Sequence, residues 1–394
     1  MSRSIGRTGD VVRDVNIVRA AGGCGDNVRA DVPETTARQA KGPSKIGPLT
    51  GLRFFAAIAV VFFHFGKGHI TRAPGFLVNV ATGGAHGVTL FFILSGFVLA
   101  YNYANPAKTS GLRKREFWAA RFARIYPVYA LALVLTLNRI HLFRPYTPGN
   151  IWQSFASITM VLSLTQAWDV SKAMFWNFPA WTLSAEAFFY LVFPWACAAV
   201  CKLKPARIVH VALAVWLLNV GMGVIYLLMK SANREAAAFL NSVMGVWPPL
   251  RLPEFLLGLL LGRLYLVRPQ LRIERRDAVA ALALLLITVV VGLGPSNPFT
   301  ISLLEPPFAL LIYALASGRG FLGAFLSLPI LILLGDASYA IYILQVPVMK
   351  ASFTIFGDYG ATFLIGAAAL IALSVVSYLH FETPARRWIR ARLA

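Results

Sequence analysis

Leu49-Thr50-Gly51-Leu52-Arg53-Phe54-Phe55-Ala56-Ala57-Ile58-Ala59-Val60-Val61-Phe62-Phe63-His64-Phe65 is an apolar run with an ionisable residue near each end, Arg53 and His64. The two stand eleven positions apart. At about 100° per residue that is roughly three helical turns, so both side chains share one face, about 16 Å apart along the axis. A charge at membrane depth costs about 2.5–3.5 kcal/mol even on insertion scales, which makes such a residue a functional candidate. The competing reading is interfacial: an arginine at a helix end snorkels to the headgroups, and a histidine at the other end sits in the boundary layer. The rest of the chain decides between them.

The 394 residues are 58% hydrophobic and 13% charged, with a mean hydropathy of +0.66. Soluble domains carry about a quarter charged residues. The class is therefore all-α, a polytopic membrane helix bundle. The net charge of +21 comes from short basic clusters between apolar runs, the positive-inside pattern of a membrane protein rather than a nucleic-acid-binding stripe. Cys24, Cys197 and Cys201 make no disulfide framework, and the six histidines lie too far apart in sequence to suggest a metal motif. Residues 1–46 are polar, rich in Gly, Arg and Asp, and lack a secretory h-region. They read as a disordered cytoplasmic extension, followed by a membrane domain over 47–385 and a basic cytoplasmic tail over 386–394.

Apolar runs of spanning length occur near 48–66, 86–104, 122–140, 181–201, 208–229, 250–267, 277–294, 300–316, 337–356 and 361–381. The run 151–168 is more polar, and 321–335 is short and broken by Pro329. With ten spans, an inner N-terminus and a non-crossing 151–168, the basic clusters at 108–124, 202–207, 263–276 and 386–392 all fall inside. If 151–168 crosses, the 202–207 cluster and the Arg268/Arg272/Arg275/Arg276 cluster move outside. The expectation is thus about ten helices, both termini cytoplasmic, with 151–168 re-entrant or on the outer surface. In that topology His64, His86, Glu186, Arg251, Glu254 and Glu305 lie toward the outer half. Arg53, Arg121, Arg124, Asp336 and Tyr339 lie toward the inner half, a cationic mouth suited to an anionic cytoplasmic ligand.

Five ordered segments now carry a resemblance. Arg53 and His64 match an Arg-x10-His motif, and Gly87-Val88-Thr89-Leu90-Phe91-Phe92-Ile93-Leu94-Ser95-Gly96-Phe97 matches Gly-x-x-x-Phe-Phe-x-x-Ser-Gly-Phe. Arg121-Phe122-Ala123-Arg124-Ile125-Tyr126-Pro127-Val128-Tyr129 matches Arg-x-x-Arg-Ile-x-Pro-x-Tyr. Trp181 to Tyr190 matches Trp-Ser-Leu-x-x-Glu-x-x-Phe-Tyr, and Ser338-Tyr339-Ala340-Ile341-Tyr342 matches Ser-Tyr-x-x-Tyr. Together they resemble the integral-membrane acyltransferase 3 family, which includes bacterial O-acetyltransferases of glycans and macrolide acyltransferases. Two departures stand out. Gln345 occupies a place where many members have a histidine, and where some members append a soluble hydrolase-like domain this sequence reaches Ala394 soon after its last apolar run.

The resemblance implies transfer of an acyl group, acetyl above all, from cytoplasmic acyl-CoA to a hydroxyl of a glycan or lipid-linked saccharide, in the bacterial cytoplasmic (inner) membrane. The residues suit that chemistry. A hydroxyl needs a base, and a neutral imidazole serves near neutral pH, so His64 is the candidate base. Glu186 is a candidate to orient that imidazole, as in triads. Arg121 and Arg124, three apart on one helical face, suit CoA phosphates, with Arg53 extending the path inward. Arg113, Lys114 and Arg115 read as membrane anchors. Trp181, Arg251 and Glu254 are candidates to bind the acceptor; Arg251 and Glu254 are also spaced to pair with each other, and Trp181 and Trp247 fit an interfacial belt. Ser95-Gly96, Gly258 and Gly262 read as close-packing positions. A glycan-precursor transporter or flippase shares many of these features, although no inverted repeat is visible. A non-catalytic assembly partner would carry Arg53, His64 and Glu186 at needless cost.

Overall fold

The computed structural model describes residues 45–66, 68, 74–104, 112–137, 148–269, 274–294, 296–357 and 360–393. The extension expected over 1–46 lies almost wholly outside them. Residues 43–394 form one compact unit, whose described residues are mostly helical and include no strand. In chain order its helices are α1 (Gly47–Phe65), α2 (Gly75–Thr82), α3 (Gly87–Tyr103), α4 (Lys114–Leu135), α5 (Pro148–Leu162), α6 (Trp181–Cys201), α7 (Pro205–Ala232) and α8 (Arg234–Val246). There follow α9 (Pro248–Val267), α10 (Arg276–Gly292), α11 (Pro298–Leu315), α12 (Phe321–Leu326), α13 (Pro329–Asp336), α14 (Ser338–Phe356), α15 (Gly360–Ser377) and α16 (Thr383–Leu393).

All ten expected spans are helical. Among the described residues, eight segments are long and apolar enough to cross a membrane. The other two are α9, which carries Arg251, Glu254 and Arg263, and α10, only 17 residues long. The surface confirms the solvent: α7 turns Leu213, Leu217, Ile225 and Leu228 outward, an apolar exterior that only lipid tolerates. The molecule is a polytopic helical membrane protein.

Three details differ from the sequence reading. The third span begins at Lys114 rather than near 122 and ends at Leu135, because the basic segment before it is itself helical. The second begins at Gly75 and changes pitch at a single 3-10 turn, Gly83–His86. The amphipathic α8 was not expected; Asn233 caps it by accepting from the Ala236 N–H. The segment 151–168 is α5 followed by turns, and 321–335 is the pair α12 and α13, packed against α1. The basic tail is helical through Leu393, its α16 packed on α4.

The most extensive contact is the crossing of α3 with α9. Gly96 faces the Phe255 carbonyl, and Gly258 faces the Ile93 carbonyl, so the two backbones touch with no side chain between them. Prolines make a second kind of joint. Pro194 has no N–H for the carbonyl of Tyr190, and the Trp118 indole donates to it at 3.0 Å. Pro306 likewise frees the carbonyl of Ser302, which accepts from Trp216 Nε1 at 2.9 Å. Pro347 frees that of Ile343, which accepts from Asn177 Nδ2 at 3.1 Å.

Candidate active site

Five helices bring the five sequence segments to one cavity. It encloses about 770 Å³, its open mouth included, among α1, α3, α4, α6 and α14. Arg53, Arg121, Arg124 and Glu186 line it together with Ser95, Tyr190 and Tyr339. Three guanidiniums face one carboxylate there, a surplus of two positive charges. The Arg121 guanidinium lies over the rings of Phe117 (5.6 Å) and Tyr190 (5.8 Å), and its Nε is buried without a partner among the described residues. Glu186 Oε1 accepts from the Tyr190 hydroxyl at 2.8 Å, one helical turn along α6. Tyr339 donates to the Ile125 carbonyl at 2.6 Å and so ties α14 to α4 at the cavity wall. The alternation of cation, ring and tyrosine hydroxyl is chemically suited to an anionic group with an aromatic or apolar continuation.

His64 stands on the same helix as Arg53, at the far end of α1, and is not part of that cavity's lining. Its Nδ1 lies 2.8 Å from Gln345 Oε1 on α14. Gln345 Nε2 donates to the Tyr342 carbonyl at 2.5 Å, an atom that can only accept. The amide oxygen is therefore the atom presented to the imidazole. Nδ1 then carries the proton, and the lone pair is on Nε2. Phe178 stands edge-on to the imidazole, ring centroids 4.8 Å apart. The loop that carries Phe178 is tied down by the Asn177 bond to Ile343 and by Gln166 Nε2 donating to the Ala180 carbonyl at 2.8 Å.

The link between His64 and the cavity is Tyr342. Its carbonyl holds Gln345, while its ring lines the cavity and its hydroxyl donates to the Pro179 carbonyl at 3.2 Å and accepts from Thr182 Oγ1 at 3.1 Å.

Sequence reasoning offered Glu186 as a candidate to orient His64. The structure puts Gln345 there and gives Glu186 to the arginine cavity, bonded to Tyr190. The signal was present in the sequence: an amide standing where a histidine is usual still offers an acceptor to an imidazole N–H. Phe178 and Asn177 carried no such signal. Arg251 and Glu254 do pair, Arg251 Nη2 donating to Glu254 Oε2 at 3.0 Å, both buried. Arg251 also donates to Thr89 at 3.2 Å and lies over the rings of Phe92 and Trp181. Arg113 pairs with Glu116 at 2.6 Å on the surface, as an anchoring role allows.

Residues 48–381 match the model of the acyltransferase domain. The chain belongs to this acyltransferase family. Among curated relatives it is 28% identical over 358 residues to Acyltransferase MdmB of Streptomyces mycarofaciens, covering 84% of this chain and 87% of that protein. It is 24% identical over 371 residues to O-acetyltransferase OatA of Staphylococcus aureus, covering 88% of this chain but 58% of OatA. Protein 2 in picA locus of Rhizobium radiobacter is 31% identical over 178 residues, 41% of this chain and 87% of that protein. No solved structure matches. The acyltransferase-domain match runs from the first turn of α1 to the π-helical turn Tyr378–Glu382, and it includes both the arginine cavity and the His64–Gln345 pair.

Proposed function

We propose that this acyltransferase moves an acyl group, acetyl by preference, from acyl-CoA to a hydroxyl of a glycan or lipid-linked saccharide in the bacterial cytoplasmic membrane. The observation that carries the reading is the shared rod: α1 holds Arg53 in a cavity with a surplus of two positive charges and His64 at its other end. Arg53, Arg121 and Arg124 hold the donor's phosphates from the cytoplasmic side, and the thioester lies toward His64. Nε2 of His64 takes the proton of the acceptor hydroxyl as its oxygen bonds to the thioester carbonyl carbon. The carbon–sulfur bond breaks, the sulfur leaves with the electron pair, and the imidazolium returns the proton to it as free CoA. Gln345 keeps Nδ1 protonated throughout, so Nε2 is the atom that accepts.

The deciding experiment is free CoA release by detergent-purified protein given acetyl-CoA, with and without cell-envelope glycan. Release that rises with glycan supports the reading; movement of glycan across vesicles without CoA release supports a transporter instead. Arg124→Ala is expected to raise the apparent KM for acetyl-CoA by about tenfold or more, the value of one charge-assisted hydrogen bond. An unchanged KM would remove Arg124 from the donor site. Gln345→Leu is expected to lower kcat on the order of 10²-fold, the scale of a misplaced catalytic group, with acceptor KM unchanged. Gln345→Glu, which keeps an acceptor at Nδ1, should recover most of that loss; equal activity of the leucine variant and wild type would show that the pairing has no part in the reaction.

A further inference from the structure

A second cavity lies among α7, α8, α9 and α11, none of which lines the first. It encloses about 580 Å³, its open mouth included. Leu218, Met222, Met244 and Ile301 make an apolar wall, and Arg251, Glu254 and Glu305 are the charged residues. Its electrostatics are the reverse of the first cavity's. Arg251 and Glu254 neutralise each other at 3.0 Å. Glu305, 1% exposed, is the acidic group left without a cation of its own among the lining residues. Asn219 Nδ2 donates to Glu305 Oε1 at 2.5 Å, while Oε2 is buried without a partner among the described residues. A further acceptor lies on the same wall: Pro253 has no N–H for the carbonyl of Pro249 four residues earlier, and both prolines line the cavity.

Ionising such a buried carboxyl without a counter-ion costs several kcal/mol, and an orphaned acceptor adds to it. One kind of ligand meets both deficits, a positive charge that also carries N–H donors. We propose that this cavity binds a protonated amine carried on an apolar body, with Glu305 as its counter-ion. The apolar body lies against Leu218, Met222, Met244 and Ile301, where the two flexible thioethers adapt to its shape. The site is independent of the acyl-transfer reading. The same chemistry is offered by a soluble organic amine and by the headgroup of an aminophospholipid.

The test is thermal unfolding of the detergent-purified full chain, followed by tryptophan fluorescence, with hexylamine and hexan-1-ol as matched probes. Hexylamine is expected to raise the midpoint saturably and hexan-1-ol to leave it unchanged. Glu305→Gln should weaken the apparent affinity for hexylamine about tenfold or more, as loss of a charged hydrogen bond does. Met244→Trp, which fills the cavity and keeps every charge, should weaken it comparably, and it decides the matter if Glu305→Gln does not fold. In nanodiscs, stabilisation by phosphatidylethanolamine over phosphatidylcholine, lost in the variant, assigns the lipid source; a hexylamine effect alone assigns a soluble amine. Equal shifts with amine and alcohol, or a full hexylamine shift in Glu305→Gln, would overturn the proposal and leave Glu305 a carboxyl that carries its own proton.

Discussion

His64→Ala is expected to slow CoA release from acetyl-CoA plus acceptor by about 10²- to 10⁴-fold, the range a positioned general base contributes. In barrier terms that is roughly 3–5 kcal/mol. The loss should fall on kcat, because His64 lies outside the arginine cavity where the donor's charged end is held. The apparent KM for acetyl-CoA should stay near the wild-type value. His64→Gln is the sharper control: it keeps a polar side chain opposite Gln345 but supplies no base, and it should be as inactive as the alanine variant. Size-exclusion profile and tryptophan fluorescence check folding in both. Full activity in either variant would move the base elsewhere, with Glu186 the next carboxylate on the cavity wall.

The second large effect concerns the scaffold. At Gly258 an added Cβ would overlap the backbone carbonyl of Ile93, and neither backbone has a side chain to move aside. Gly258→Val should therefore force α3 and α9 apart along their whole crossing, costing about 3 kcal/mol or more, at or beyond the upper end of core overpacking. The readout is the unfolding midpoint in detergent, together with the yield of monodisperse protein. Gly221→Ala is the paired control: nothing lies within 4 Å of its added Cβ, and alanine favours the helix by about 1 kcal/mol. That variant should match or exceed wild type. Equal midpoints for Gly258→Val and wild type would mean that α3 and α9 do not cross with backbones in contact.

Much of this architecture was legible because lipid enforces it. A span must be long and apolar, so the ten helices stand out in the sequence even where α9 carries three charges. Close packing was legible at Gly96, Gly258 and Gly262 for the same reason, since only small residues let helices touch. The site was half legible. Arg53, Arg121, Arg124 and Glu186 do meet, but Glu186 lies among arginines rather than beside His64, because helical spacing says which face a residue takes and not which neighbour that face meets. The His64–Gln345 pair joins positions 281 residues apart. Periodicity along one helix carries no information about such a contact. The same holds for Arg251, whose partners at Thr89, Phe92 and Trp181 come from α3 and α6. The amphipathic α8 was missed because its apolar positions are too few to register as a span.

The proline joints bear on how the chain is built in the cell. A carbonyl stripped of its helical donor is an unsatisfied acceptor, and in hydrocarbon such a group costs several kcal/mol until a donor reaches it. At each joint the donor comes earlier in the chain than the carbonyl it serves: Trp118 before Tyr190, Asn177 before Ile343, Trp216 before Ser302. Synthesis runs from the N-terminus, so the donor has already emerged when the proline-bearing helix follows. These three proline-bearing helices thus enter a membrane where the donor is already in place, and at these joints the order of the polypeptide doubles as an order of assembly.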